Sequence, residues 1–245
     1  MEKPAFYDKE KAQSREDFFR NNALTLFSIN DLFFKIISEE VPAGAKILDI
    51  GTGNAFVLEQ LSKRFRSRYG DLYGVDLSPE MLEKAKERTS GLDVQLVLGD
   101  NMDLPFESGF FDAVTAKNVT NFSESEVYRV LKTPGKFLFR EYGSGKGLKE
   151  IANLFRGRLI RARDPSYYTQ RLNSARFRNV SLREFDVKRE YSFEELLQVM
   201  QIFPFLDQIG EEDRKKIKSY FGDKDKLPIT SDQIIIIGEK WYGKI

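Results

Sequence analysis

The chain has 245 residues, with 39 Lys and Arg against 38 Asp and Glu, a formal net charge of +1, and neither cysteine nor histidine. This excludes a disulfide framework, a thiolate zinc site and a thiol nucleophile, and it removes the commonest general base and metal ligand. Acid–base chemistry therefore falls to Asp, Glu, Lys, Tyr or water, and the near-zero charge argues against a protein built to coat nucleic acid.

The N-terminal stretch MEKPAFYDKEKAQSRED is too polar for a signal peptide, and no apolar run approaches the ~18 residues of a membrane span. The expectation is a cytoplasmic protein with no membrane segment, forming one domain. Apolar residues from Phe18 to Ile37 recur at helical spacing, so one or two helices cap the N-terminus. After Pro42 and Gly44, strands and helices alternate. Strands are predicted at Lys46–Ile50, Asp71–Val75, Val94–Leu98, Phe111–Ala116 and Lys136–Glu141. Helices are predicted at Ala55–Tyr69, Pro79–Thr89 and Glu124–Leu131, with Ser78 as N-cap and Pro79 in the first turn of the second. Such alternation predicts a mostly parallel sheet with helices on both faces.

The later pattern differs. Gly147–Arg163 reads as a basic helix, Asp164–Pro165 breaks it, and Tyr167–Asn173 starts another. Val180–Lys188 alternates like a strand, Phe193–Phe203 reads as a helix ending at Pro204, and Gln233–Gly238 reads as a buried strand. Two late strands around a helical insertion predict an antiparallel hairpin at one edge of the sheet. The expected organisation is an N-terminal cap at 1–40, a core at 41–141, a basic lid at 142–179 and the edge hairpin at 180–245.

The stretch ILDIGTGNAF, residues 47–56, joins a buried strand to a glycine turn and a helix. A dinucleotide turn wants a third glycine three residues after the second; Phe56 stands there. Asp76 closes the second strand about twenty residues on, where a carboxylate can accept from ribose hydroxyls, and Asp100 closes the third strand in LVLGDNMDLPF. With LYGVDLSPEMLEKAKER, LGDNMDLPFESGFFDAV and RVLKTPGKFLF following ILDIGTGNA in order, residues 45–141 resemble the class I S-adenosylmethionine-dependent methyltransferases. Thr133-Pro134-Gly135-Lys136 departs from that family's Lys-Pro-Gly-Gly at a turn before the fifth strand.

The resemblance implies a Rossmann-like, doubly wound, mostly parallel seven-stranded α/β sheet with an antiparallel edge hairpin and helical lid insertions. It also implies S-adenosyl-L-methionine as cofactor. Asp49, Gly51, Thr52 and Gly53 would surround its amino-acid half, Asp76 would hold the ribose, and Leu77 and Met81 would pack on the adenine. Asp100 would accept from the adenine amino group beside Asn101 and Met102, while Ala116 and Lys117 would lie near the methionine portion. Tyr7 resembles the N-terminal aromatic that closes over the sulfonium, where a ring could contribute ~1–2 kcal/mol.

Asn118, Glu141 and Tyr142, just past the fourth strand and at the end of the fifth, are the candidates for orienting or deprotonating the acceptor. Lys132–Glu190 carries fifteen Lys or Arg against six Asp or Glu, interleaved with aromatics, where the family builds its substrate lid. An anionic small-molecule acceptor, methylated on oxygen or nitrogen, suits that segment; a basic helix paired with acids elsewhere is the competing reading. An RNA base as acceptor, or binding of the cofactor without turnover, are the alternatives. EELLQVMQIFPFLDQ and LPITSDQIIIIGEKW loosely resemble the closing segment of ribosomal RNA guanine methyltransferases and of carboxyl methyltransferases of biotin synthesis. The former commonly carry a cysteine zinc site, which this chain lacks.

Overall fold

A computed structural model describes residues 29–241 apart from 66, 120, 161–162, 203–205 and 207. The elements in chain order are α1 (Ile29–Glu40), β1 (Ile47–Ile50), α2 (Phe56–Arg64), β2 (Leu72–Asp76), α3 (Pro79–Arg88), β3 (Val94–Leu98), β4 (Phe111–Lys117) and α4 (Glu124–Val130). They continue as β5 (Leu131–Tyr142), α5 (Lys149–Leu154), α6 (Pro165–Ser174), β6 (Arg178–Tyr191), α7 (Phe193–Ile202), α8 (Glu211–Phe221) and β7 (Leu227–Lys240). The strands form one seven-stranded sheet in the order β3-β2-β1-β4-β5-β7-β6. β1 to β5 pair in parallel, whereas β7 runs antiparallel to both β5 and β6. The Rossmann-like α/β sheet with an antiparallel edge hairpin is therefore present as expected.

Two apolar cores cover the faces of the sheet, and strand alternation decides which residue joins which. One gathers α1, α2, Leu138, Ile235 and Ile237; the other gathers Phe137, Phe139, Ile234, Ile236, α4 and α6. A third cluster lies beyond the carboxyl edge of β5, where Ile151 and Phe155 meet Leu196, Met200, Ile217, Phe221, Leu227 and Ile229. Helix α5 and the α7–α8 insertion thus share one core.

Local chemistry explains the helix starts. Ser78 Oγ accepts from Met81 N at 3.2 Å, with Pro79 opening α3. Ser123 does the same for Glu126 N, and the Asp164 carboxylate accepts from Ser166 N at 2.9 Å, with Pro165 opening α6. Each such cap contributes about 1 kcal/mol. Asp164–Pro165 therefore begins a helix as well as ending the preceding segment.

Several expected bounds are corrected. α2 stops at Arg64 rather than Tyr69, because Phe65 and Tyr69 pack on each other and on the α1 core. Arg68 meanwhile donates to Ser38 O at 2.7 Å and Val41 O at 3.3 Å, satisfying carbonyls at the end of α1. The basic helix expected over Gly147–Arg163 is only Lys149–Leu154; Gly157, at φ +85, lies in the turn that follows, and Arg158 reaches Asp213. The turn expected at Thr133–Lys136 is absorbed into β5, whose register against β4 jumps between Phe111↔Leu131 and Ala113↔Lys136. β6 and β7 are longer than predicted, and both continue past β5.

Candidate functional site

The glycine turn leaves β1 at the point where the chain crosses from the β1–β2–β3 half of the sheet to the β4 half, the crevice where open α/β sheets bind ligands. Gly51 and Gly53 adopt φ +57 and +55. A Cβ on Gly51 would lie 2.7 Å from Val119 Cγ2 and 3.2 Å from Asn101 Nδ2, so steric room and backbone conformation both demand glycine. Asn101 Oδ1 accepts from Gly51 N at 3.1 Å. Asp76 Oδ2 accepts from Gly53 N at 2.8 Å, and its Oδ1 accepts from Ser78 N at 3.0 Å. Met81 Cε would stand 3.2 Å from a Cβ on Gly53. Gly51, Gly53, Asp76, Met81 and Asn101 are thus brought together from three strand ends.

Leu77 and Met102 are large apolar side chains left exposed, at 40% and 44%, on the loops after β2 and β3. Asp100 Oδ1 accepts from Met102 N at 2.9 Å, which curls its loop. Phe56, where a third glycine is missing, packs instead on the α1–α2 core with its ring 5.9 Å from Phe34.

Asp49 is buried in the middle of this crevice. Loss of hydration pushes its carboxyl up to about 7, against the opposing effects of Thr115, Thr52 and the Lys117 charge. Thr115 Oγ1 donates to it at 2.7 Å. Lys117 lies with Nζ 5.2 Å from the Phe56 ring, and Ala116 is wholly buried in the opposite core. Tyr7 lies outside the described residues.

The three acceptor candidates do not converge. Alternation along β5 places Arg140 and Tyr142 on the α1–α2 face and Glu141 on the other. Glu141 Oε1 accepts from Tyr142 N at 2.8 Å, and its charge, second to burial, raises the Tyr168 phenol to about 12. Asn118, held at φ +56, accepts from Arg140 Nη1 through Oδ1 at 2.5 Å, which leaves its amide N–H groups for another partner. Arg140 Nη2 donates to Gln233 Oε1, also at 2.5 Å, and its guanidinium lies 5.1 Å from the Tyr142 ring.

Sequence reasoning missed Arg140, Gln233 and Val119. The one available signal was an arginine at the end of an otherwise apolar strand. It also missed Asp232, whose carboxylate accepts from Gly145 N at 2.6 Å and Gly147 N at 2.7 Å and so shapes the loop after β5.

Much of the basic segment is neutralised within the chain. Lys132 pairs with Asp112, Lys136 with Glu40 and Glu239, Lys149 with Asp186, Arg158 with Asp213, Arg171 with Glu124 and Lys188 with Glu150. No helix among the described residues is long and apolar enough to cross a membrane.

Comparison with known proteins agrees with this geometry. A family model described as a methyltransferase domain matches residues 47–135. Demethylmenaquinone methyltransferase of Staphylococcus saprophyticus is 34% identical over 151 residues, covering 55% of this chain and 64% of that protein. The chain spans 42% to 64% of the length of such curated relatives. Among solved structures, the YcgJ protein from Bacillus subtilis superposes with a TM-score of 0.64 at 21% identity, covering 88% of this chain and all of that one. Phosphoethanolamine N-methyltransferase 2 of Haemonchus contortus, in complex with S-adenosyl-L-methionine, superposes with a TM-score of 0.61 at 21% identity, over 97% of this chain and 58% of that one. With the ordered motifs and the glycine turn at the switch of the sheet, residues 47–135 match a methyltransferase domain, and the chain has the fold of the S-adenosylmethionine-dependent methyltransferases among these neighbours.

Proposed function

We propose that this chain transfers the methyl group of S-adenosylmethionine to an oxygen or nitrogen of a small acceptor that carries an acidic group. The observation that carries the reading is the Asp76 carboxylate, docked on the Gly53 and Ser78 amides at the end of β2. A carboxylate has about four lone-pair sites. Two are used, and the remaining two suit a ribose diol. Leu77, Met81 and Met102 supply apolar walls for an adenine, and Asp100 has an oxygen beyond its bond to Met102 for the adenine amino group. Gly51, Gly53 and Thr52 with Asp49, Asn101 and Lys117 would surround the methionine moiety, whereas Ala116, wholly buried in the opposite core, could meet it only through its backbone.

Bound there, the sulfonium supplies an already activated methyl group. The task of the chain is then to hold an acceptor atom in line and to exclude water, and positioning of this kind is worth about 7–11 kcal/mol without any general base. A chain without histidine is equal to that task. Asn118 and Tyr142 share the face that would meet the acceptor, with Glu141 beneath on the opposite side.

A neutral quinone, as the names of the relatives suggest for those proteins, would leave the buried Arg140 without a direct ion-pair partner. An RNA acceptor is weakened by the ion pairs that neutralise the basic segment. The deciding experiment is calorimetric titration with S-adenosylmethionine, followed by detection of S-adenosylhomocysteine when the protein is given a pool of small metabolites. Micromolar binding and a product dependent on a carboxylic or other acidic metabolite are expected. Absence of cofactor binding would sink the reading, and binding without any turnover would leave a ligand-binding protein.

A further inference from the structure

Arg140 is 3% exposed and donates to the neutral amides of Asn118 and Gln233, with Tyr142 also against it. Its Nε–H is buried and unpaired among the described residues, and so is the Nε–H of Arg189. Arg189 lies on β6 four residues beyond Phe185, which packs on the α1–α2 core, so it projects from the same face as Arg140. Burial is the main influence holding the Arg140 guanidinium below its usual range; Tyr142 and the Glu141 charge oppose it, and the nearby Arg189 charge acts in the same direction as burial. Both guanidinium groups also interact with the Tyr142 phenol. Neither arginine has an ion pair among the described residues, although cations elsewhere in the basic segment do.

Keeping a buried cation without a direct ion pair is costly even with a carboxylate such as Glu141 in reach of its field, and a second cation close by adds to that cost. Two orphaned donors on two mutually repelling arginines describe a pocket organised for an oxyanion that completes it. The planar guanidinium matches a carboxylate, and the Tyr142 ring against Arg140 limits its orientation. We infer that Arg140 and Arg189, with Tyr142 between them, bind the carboxylate of the methyl acceptor at the sheet edge formed by the carboxyl ends of β5 and β6 and the amino end of β7. The inference rests on the reading of this edge as the acceptor side. The competing source of the same chemistry is the carboxylate of the methionine moiety of the cofactor.

The test uses the full chain labelled with 15N-arginine and saturated with S-adenosylhomocysteine, and it follows the arginine Nε–H resonances. Titrated benzoate should move two of these signals, and the uncharged isostere benzamide should leave them in place. Arg189→Gln should weaken benzoate binding by roughly tenfold or more, the loss expected when a charged hydrogen-bond partner is removed, with S-adenosylhomocysteine affinity unchanged. Arg140→Lys should act in the same direction. Nε–H signals in the unsubstituted protein that ignore benzoate would overturn the inference, whether or not either variant folds. An equal fall in S-adenosylhomocysteine affinity in Arg189→Gln would assign the pocket to the cofactor and overturn it as well. Unsubstituted protein that responds to benzoate and fails to bind S-adenosylhomocysteine would instead defeat the methyl-transfer reading and leave the anion site standing.

Discussion

The backbone N–H of Gly53 donates to Oδ2 of Asp76 at 2.8 Å, across 23 residues of sequence. The bond ties the turn after β1 to the end of β2, so one carboxylate shapes the crevice and, on the proposed reading, also holds the ribose. Asp76→Ala removes both functions. It is expected to lower S-adenosylmethionine affinity by about 10- to 100-fold, corresponding to roughly 1.5–3 kcal/mol for bonds to a charged group. Isothermal calorimetry measures this directly, and an unchanged dissociation constant would refute the ribose assignment.

Gly51 offers a test that separates conformation from space. Gly51→Ala imposes a left-handed backbone on a residue with a Cβ, costing about 1–2 kcal/mol, and sets that Cβ 2.7 Å from Val119. Gly91→Ala carries the first cost alone, since at φ +76 a Cβ there meets nothing within 4 Å. Chemical denaturation should show Gly51→Ala as the more damaging change, with Val119→Ala recovering part of the difference. Equal losses at the two glycines would mean that Val119 does not crowd the turn.

Asp49 should make stability depend on pH. Its folded carboxyl is raised from 3.8 to about 7, with Lys117 and Asp76 as the charged groups acting on it. The native state therefore binds the proton more tightly than the unfolded chain, so the contribution is fully present below about pH 4 and is lost as pH rises towards 7. Relative to Asp49→Asn, the protein should lose up to about 1.4 kcal/mol per pH unit across that window and level off above it. Urea titrations of both proteins at several pH values measure the slope, and parallel curves would contradict the burial of an ionisable Asp49.

Asp232 is the only anchor described for the Gly145 and Gly147 amides, both of which donate to its carboxylate. Asp232→Asn keeps the size but replaces one acceptor oxygen with a donor. The loop after β5 should then open, seen as faster amide exchange at Gly145 and Gly147, with a stability loss of about 1–3 kcal/mol for the orphaned donor. Unaltered exchange at both glycines would show that the loop holds its shape unaided.

The sequence by itself determined the parallel half of the fold, its antiparallel edge hairpin and the glycine turn after β1, because those features are encoded over short stretches. A buried strand, Gly51-Thr52-Gly53 and a helix start are contiguous, as are Leu72–Asp76 with Ser78 and Pro79, and a parallel sheet brings successive strand ends to one edge. Tertiary structure alone decided the rest. Arg140 meets Asn118, 22 residues away, because β4 and β5 pair in parallel, and meets Gln233, 93 residues away, because β7 runs back antiparallel against β5. The opposite facing of Glu141 and Tyr142, the shortening of α2 by contacts with α1, and the burial that raises Asp49 have the same origin. Each is set by which distant surface covers a residue, and hydration, pairing and side-chain direction follow from that cover rather than from neighbours in the chain.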